Sequence, residues 1–430
     1  MSAPVSSFGS LLLGSLLPVV VAAGAHRVAP DTASPGVPPA TDSIEQQAAA
    51  RVADAVCSKR VVLLGELPEH GEARGMGVKA RIVERLVARC GFRAVLFEAG
   101  SYDFFGLERA IAATPQAPSG RAAVAASGAP TDSLELALAR AIGGLWWTRE
   151  LAGWRQWLVR EAVAGRVVIG GIDDQPSATS AYARATLPGL VGAAVTAARA
   201  GECEETVARY LGFRYTAAQP YDDTERTRLA DCARLAADRA HDARRTADEV
   251  MLDDVASYFA REQAAAQGGA AAPPDRDLVM ARHVAWWSAR LPRNAKVVVW
   301  TATTHAARAR GAHPVLPTGV PPLGARLAER WGDRLAVIGF TALRGQWSRA
   351  GHPSQPLAPL PPHALEARAL AARAAVDTAA WTYLDRAVLR SLDTVPSRLF
   401  GKVVTTDWST AFDGVLVIRD ESAPTFEPRR

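Results

Sequence analysis

The sequence predicts an α/β fold, with a mainly parallel central sheet covered by helices and a helical insertion lobe. Short apolar runs rich in Val, Ile and Leu alternate with amphipathic helical patterns along the chain. Such alternation is typical of parallel strands covered by helices. The runs are continuously apolar, which indicates strands buried on both faces. Residues 178–290 contain no strand-like run and show apolar residues at helical spacing, which predicts the insertion.

The elements follow one another in strand and helix units. Helices are expected over residues 43–57, 75–89, 103–112 and 276–290, and the Pro-rich stretch 353–363 is expected to form a loop. The predicted strands are Val61–Leu64, Ala94–Phe97, Val167–Gly170, Lys296–Thr301, Leu335–Phe340 and Val415–Ile418.

The composition is that of a globular protein. The chain has 430 residues, of which 49% are hydrophobic and 22% are charged, and its formal net charge is +5. The excess basic residues are scattered along the predicted helices, without the interleaved aromatic side chains that single-stranded nucleic acid binding uses. The composition therefore argues against a nucleic-acid partner.

The N-terminal segment resembles an export signal. Leu11–Ala23 is apolar but too short to span a bilayer comfortably, and small residues follow it up to Ala25, although no basic residue precedes it. We interpret residues 1–25 as a signal peptide, 26–42 as a Pro/Ala-rich linker and 43–422 as a single α/β domain. A secreted or periplasmic protein follows, with no membrane association after cleavage.

Four cysteines fit an exported protein. Cys57 and Cys90 flank one strand and helix unit, and Cys203 and Cys232 flank one helical segment. We expect disulfides between the members of each pair, and four buried thiols are the alternative.

Polar side chains follow four of the predicted strands. Parallel strands gather such residues at one sheet edge, where ligands bind in open α/β folds. These residues are Glu66, Glu69, His70 and Glu72 after the first strand, Glu98 after the second, Asp173 and Asp174 after the third, and Thr303, Thr304 and His305 after the fourth.

Imidazoles beside carboxylates are suited to activating water. A neutral imidazole accepts a proton from water while the carboxylate fixes its tautomer and stabilises the imidazolium. His70 and His305 are the candidate bases, and Glu66 and Glu98 the candidate orienting groups. No G-x-S-x-G elbow, phosphate-binding loop or dinucleotide fingerprint occurs. A metal could use the same residues, but no fixed ligand spacing supports one, so neither metal nor cofactor is expected.

Several blocks, taken in order, resemble the erythromycin esterase-like family. They cover nearly all of the chain from about residue 55 to 418, which is more specific than any single motif. The blocks are Leu64–Glu66 with His70-Gly71, Lys79–Arg81, Gly91–Ala94 with Glu98, Trp147–Glu150 with Trp157-Leu158, Gly171–Gln175, Arg276-Asp277 with Met280-Ala281, Lys296–Trp300 with His305, and Ala411–Gly414.

The resemblance implies an α/β fold with helical lobes and hydrolysis of an ester bond, typically the macrolactone of macrolide antibiotics, with antibiotic resistance as the associated role. It further implies a His general base without a metal, which by position is His70 with Glu66 beside it; His305 is the second His of the cleft. We expect Glu69, Asp173, Asp174, Arg276 and Trp147 to bind the substrate.

The chain departs from the family pattern at three places. Between Glu66 and His70 this chain has one residue more than the family pattern. Pro68 in this segment restricts the path of the loop. Ala302 and Thr303 replace a His and an Asn, and His283 stands where the family usually has Asn.

Two other functions therefore stay open beside an exported ester or lactone hydrolase. One is a non-catalytic protein on the same scaffold that binds a metal or haem. The other is a hydrolase of cell-envelope esters.

Overall fold

A mainly parallel sheet of eight strands forms the frame of the molecule, seen here in a computed structural model. The structure describes residues 44–114, 128–176, 179–238, 246–267, 275–308, 320–371 and 380–427. The strands are β1 (Val61–Glu66), β2 (Phe92–Gly100), β3 (Val168–Asp173), β4 (Lys296–Ala302), β5 (Leu335–Trp347), β6 (Gln355–Pro356), β7 (Trp381–Asp385), β8 (Thr394–Ser397), β9 (Val404–Asp407) and β10 (Gly414–Glu421).

The strand order is β3-β2-β4-β1-β5-β10-β7, with β6 paired to β5. Pairs from β3 to β10 are parallel, and β7 is antiparallel to β10. Strands β8 and β9 form a separate antiparallel pair. The predicted fold class is confirmed, and all six predicted strands are present. The prediction missed β7, β8 and β9, and β6 lies in the segment that we expected to be a loop.

Helices cover both faces of the sheet. They are α1 (Ile44–Val56), α2 (Ala73–Cys90), α3 (Ser101–Ala113), α4 (Gly128–Ile142), α5 (Ala152–Val163), α6 (Ala181–Ala194), α7 (Ala197–Leu211), α8 (Asp223–Ala237), α9 (Ala247–Ala266), α10 (Arg276–Arg290), α11 (Thr303–Ala306), α12 (Leu323–Trp331), α13 (Leu365–Ala371) and α14 (Arg386–Ser391). Helices α6 to α10 form the helical lobe between β3 and β4.

Alternate residues of each strand enter two different hydrophobic cores. In β1, Val61 and Leu63 belong to one core, whereas Val62 and Leu64 belong to the other, and all four are buried. This alternation follows from the two-residue period of a strand. Burial on both faces explains why the strands are continuous apolar runs.

The strand register places the site. Glu66, the last residue of β1, lies opposite Ala302, the last residue of β4, and Phe97 of β2 lies opposite Trp300 of β4. The carboxyl ends of β1, β2 and β4 therefore meet at one edge of the sheet.

Two disulfides close local loops, Cys57 to Cys90 and Cys203 to Cys232, as predicted. The first ties the end of α1 to the end of α2, and the second ties α7 to α8. Both join segments 29 to 33 residues apart in sequence.

The proposed signal peptide and linker lie outside the described residues, which belong to one compact unit, Asp42–Arg430. The bounds of the domain stay a prediction. Within the described ranges, no helix combines the length and the hydropathy needed to cross a bilayer.

Candidate active site

A buried carboxylate at the end of β1 is the centre of the candidate site. Glu66 is 1% exposed and accepts four hydrogen bonds. Its Oε1 accepts from Nδ1 of His70 at 2.7 Å and from Nε1 of Trp146 at 2.7 Å. Its Oε2 accepts from Nζ of Lys79 at 2.8 Å and from Nε1 of Trp300 at 2.8 Å. All of its acceptor directions are thus used by N–H groups.

These partners keep Glu66 ionised. Burial opposes its charge, but the Lys79 ammonium and the bonded His70 outweigh burial and lower the pKa of Glu66 to about 2. Lys79 is itself buried, and its ammonium lies 4.4 Å from the centre of the Trp300 ring. Burial lowers the pKa of Lys79, although Glu66 opposes that shift. The result is a buried ion pair enclosed by indole rings.

A tight loop brings His70 back onto Glu66. The backbone N–H of His70 donates to the carbonyl of Leu67 at 3.0 Å, and His70 has a φ of +53° in the left-handed region. The next residue, Gly71, lies so close to Ser348 that a Cβ there would be 2.2 Å from the Ser348 carbonyl oxygen. The loop that follows β1 therefore fixes the imidazole through its backbone.

The orientation of His70 defines its tautomer. Because ionised Glu66 accepts only, Nδ1 of His70 must carry the hydrogen in their 2.7 Å bond. The indole of Trp146 packs edge-on against the imidazole, with ring centres 5.4 Å apart. No described residue hydrogen-bonds Nε2, and His70 lines a cleft of about 560 Å³. Nε2 is therefore left for a molecule in the cleft.

Glu98 at the end of β2 belongs to the opposite wall. Its Oε2 accepts from the hydroxyl of Thr301 at 2.6 Å and from the N–H of Ala302 at 2.7 Å. Burial opposes the charge of Glu98, but His305, His70 and Arg276 hold its pKa well below the usual range. Glu98 is therefore a fixed negative charge beside the cleft.

Arg276 at the start of α10 links three of the predicted residues. Its Nη2 donates to Asp173 at 2.7 Å and to Glu98 at 3.2 Å, and its Nε donates to Asp173 at 3.1 Å. Its Nη1 lies 3.2 Å from Nε2 of His305. The carboxylates raise the pKa of Arg276 against the effect of burial, so that it stays charged.

His305 completes this wall. Its Nδ1 lies 2.8 Å from Asp277, and its Nε2 lies 3.3 Å from Glu98. Burial disfavours the imidazolium, but Glu98 and Asp277 outweigh burial and Arg276, and raise the pKa of His305. Both nitrogens face carboxylates, which is the arrangement of a charged histidine rather than a free base.

The structure brings most predicted site residues together and separates three from them. His70, Glu98, Asp173, Arg276 and His305 line one cleft, and Glu66 lies directly behind His70. The other three lie elsewhere: the Glu69 carboxylate is near Gly401, Asp174 is fully buried against Arg261, and the Trp147 ring packs under Arg155 outside the cleft.

Sequence reasoning missed the residues that hold Glu66 and His305. Lys79, Trp146 and Trp300 come from three separate elements or loops, and Asp277 was only part of a motif. The alternation of side chains along the strands offered one signal for Trp300. Trp300 of β4 lies opposite Leu64 of β1, and both side chains belong to the same core. Within the described residues, no group of three or more His, Cys, Asp or Glu side chains is placed to hold a metal ion.

Comparison with known proteins places this chain in a family context. The family model described as erythromycin esterase matches residues 87–421, which include Glu98, Arg276 and His305 but begin after Glu66 and His70. No curated protein sequence matches the chain.

Several solved structures are similar in fold. A Bacillus cereus protein is 17% identical, with a TM-score of 0.61 over 91% of this chain and 100% of that one. A succinoglycan biosynthesis protein is 17% identical, with a TM-score of 0.60 over 88% and 92%. A mutant of the erythromycin esterase EreC in its open conformation is 17% identical, with a TM-score of 0.57 over 89% and 95%.

Proposed function

Since this chain belongs to the erythromycin esterase family, we propose that it is a hydrolase that cleaves a carboxylic ester or lactone, with His70 as general base for water. One observation carries the proposal. His70 turns a hydrogen-bonded Nδ1 towards a buried carboxylate and lines the cleft that also holds Glu98, Arg276 and His305. A base in a defined tautomer beside a polar cleft is what water activation requires.

Each group has a distinct part in the reaction. Nε2 of His70 accepts a proton from water as the water oxygen bonds to the acyl carbon. Ionised Glu66 stabilises the imidazolium that forms, because it already accepts the Nδ1 hydrogen. When the tetrahedral intermediate breaks down, the imidazolium returns the proton to the leaving alcohol oxygen. The products are a carboxylic acid and an alcohol, or one hydroxy acid from a lactone.

Two cations line the same cleft, each paired with carboxylates. Arg276 and His305 are next to each other, with 3.2 Å between Nη1 and Nε2. Negative charge that develops on the carbonyl oxygen is stabilised by fixed cations. Asp173, Asp277 and Glu98 hold these cations in place.

The same proposal includes export. Two disulfides join all four cysteines, and disulfides persist in oxidising compartments. A secreted or periplasmic hydrolase of small-molecule esters or lactones is consistent with that chemistry. The partner is a small-molecule substrate.

A His70→Asn variant tests the base directly. Asn tolerates the left-handed backbone of position 70 but cannot accept a proton near neutral pH. Purified protein is assayed on a panel of p-nitrophenyl esters and macrolactones, with and without a chelator. We expect loss of about 10²–10⁴-fold in kcat, while the control His363→Asn, on an exposed loop, keeps wild-type turnover. Turnover by His70→Asn at the wild-type rate would overturn the assignment of the base.

A further inference from the structure

A second cavity of about 350 Å³ adjoins the cleft of the candidate active site. The two cavities share Arg140, Gly143 and Thr179 in their linings. A molecule whose ester lies at His70 can therefore extend past α4 into the second cavity. Their sizes lie within the usual range for small-molecule sites.

The walls of this second cavity are partly aromatic and held rigidly. Trp147 and Phe426 line it, together with Leu136. The backbone fixes the two aromatic residues to each other, because Thr148 pairs with Phe426 and the Glu427 N–H donates to the Trp147 carbonyl at 3.1 Å. The Arg155 guanidinium stacks 3.8 Å from the centre of the Trp147 ring. Trp147 and Phe426 therefore form a preformed aromatic surface against which an apolar group of a ligand can pack.

Two arginines bring positive charge to the passage between the cavities. Arg140 of α4 lines both cavities, and Arg184 of α6 lines the second one. Neither guanidinium has a hydrogen bond or ion pair of 4 Å or less with any residue that the structure describes, and both side chains are exposed.

The acids nearby are bonded to other groups. Glu427 lines the second cavity, but its carboxylate is paired with Arg155 at 3.0 Å. Burial raises the pKa of Asp103 in the cleft, and the charges of both arginines oppose that rise. Its Oδ1 accepts from the N–H of Tyr182 at 3.0 Å. Arg155 also pairs with Glu135 at 3.9 Å, so the two arginines offer a ligand not a net charge but guanidinium N–H groups without an ion-pair partner of 4 Å or less among the described residues.

We propose that Arg140 and Arg184, with Trp147 and Phe426, form a specificity subsite for esters whose acyl arm is apolar and ends in an acidic group. The inference rests on the proposed hydrolysis, since it defines the far end of the same substrate. Arginine suits this role because its planar fork binds a carboxylate through two parallel hydrogen bonds. The apolar part of the arm covers the aromatic wall.

A matched series of p-nitrophenyl esters of eight-carbon acids tests the subsite. The far end of the acyl chain carries a carboxylate, a methyl ketone of similar shape or a trimethylammonium group, so that the end group is negative, neutral or positive. We expect kcat/KM for the carboxylate ester to exceed that for the methyl-ketone ester by about tenfold, as charge-assisted hydrogen bonds require. The preference is expected to shrink as salt is added.

Substitutions then test whether the two arginines cause the preference for the carboxylate ester. The double variant Arg140→Gln/Arg184→Gln is expected to bring the carboxylate-to-ketone ratio close to one, and Arg140→Glu to favour the trimethylammonium ester. A merely structural role of these arginines predicts no such reversal. The control Arg160→Gln, an exposed arginine of α5, is expected to keep the wild-type ratio.

Binding of uncleavable analogues separates this inference from the proposed hydrolysis. Amides of p-nitroaniline with the same three acyl chains are titrated into the wild-type protein and the variants by calorimetry, and the Kd values should follow the same order. Equal affinity for the carboxylate and methyl-ketone amides, or a preference that survives in the double variant, would overturn the subsite. If the amides bind as expected and no ester is cleaved, the proposed hydrolysis fails while the subsite stands.

Discussion

Replacing Glu66 by Gln changes the central carboxylate with almost no change of shape. Each oxygen of Glu66 accepts two N–H donors, one pair from His70 and Trp146 and the other from Lys79 and Trp300. Whichever way an amide turns in that position, its NH₂ group faces two donors. If it faces His70, Nδ1 becomes the acceptor and the hydrogen moves to Nε2, so that the base is lost.

The size of the effect follows from the geometry. In the serine protease triad, an amide in place of the carboxylate that orients the histidine lowers kcat by about 10⁴, because the tautomer is wrong. We expect Glu66→Gln to lower kcat by about 10³–10⁴ with little change in KM. The variant also leaves the buried Lys79 without its counter-charge. Removing one partner of a buried ion pair costs about 3–5 kcal/mol of unfolding free energy.

A second substitution separates catalysis from folding. In Glu66→Gln/Lys79→Met both charges are gone, so we expect unfolding free energy to recover most of its loss, while kcat stays well below that of the wild type because no carboxylate stabilises the imidazolium. The matched control is the exposed pair Arg81 and Glu84 on α2, whose 2.8 Å contact should contribute no more than about 1 kcal/mol. Urea unfolding gives the free energies, and initial rates on the most reactive ester of the panel give kcat. A folded Glu66→Gln protein with kcat within threefold of wild type would refute the proposed role of the carboxylate.

Three further perturbations test other parts of the structure. Arg276→Lys should lower kcat/KM by about 10–100-fold, because a single ammonium cannot reproduce the fork that bonds Asp173 and Glu98; a loss below twofold in the ester assay would contradict this. Replacing both members of the Cys203–Cys232 disulfide by Ser should lower unfolding free energy by about 3–4 kcal/mol in urea titrations, the loop-closure value for a separation of this length. Glu72 gives a pH dependence: burial and the neighbouring Glu421 raise its pKa well above 4.5, so the fold holds a proton that the unfolded chain releases. The contribution of Glu72 to stability is full below pH 4.5 and is lost as pH rises through the folded pKa, so Glu72→Gln should reduce the fall of Tm as the pH is raised above 4.5.

The sheet was predictable because burial on both faces leaves a local signature. Each of the six predicted strands is a run of apolar residues, and β1 is buried at every position. Strand β7 lacks this signature: it lies at the sheet edge, its burial alternates, and it pairs antiparallel to β10. Strands β6, β8 and β9 have two to four residues each and carry too short a pattern to be recognised.

The site was only partly predictable for a related reason. Polar residues that directly follow strands are expected at the carboxyl edge, and Glu66, Glu98 and Asp173 lie there. The direction of a side chain depends on local backbone angles, however, and these separate neighbours. Glu69 points to Gly401, although the next residue, His70, lines the cleft. Asp174 is buried against Arg261, although Asp173 binds Arg276.

The sequence by itself determined the class of fold and the strand ends at which His70 and Glu66 lie, and it predicted the disulfide pairs that the structure contains. These follow from hydrophobic periodicity, spacing and strand direction, which are local properties of the chain. Only the tertiary structure decided that Lys79, Trp146 and Trp300 enclose Glu66, since they converge from residues 13, 80 and 234 positions away. It likewise placed Arg276 between Asp173, Glu98 and His305. The ionisation of buried groups depends on such distant partners, because desolvation and charge act through space and not along the chain.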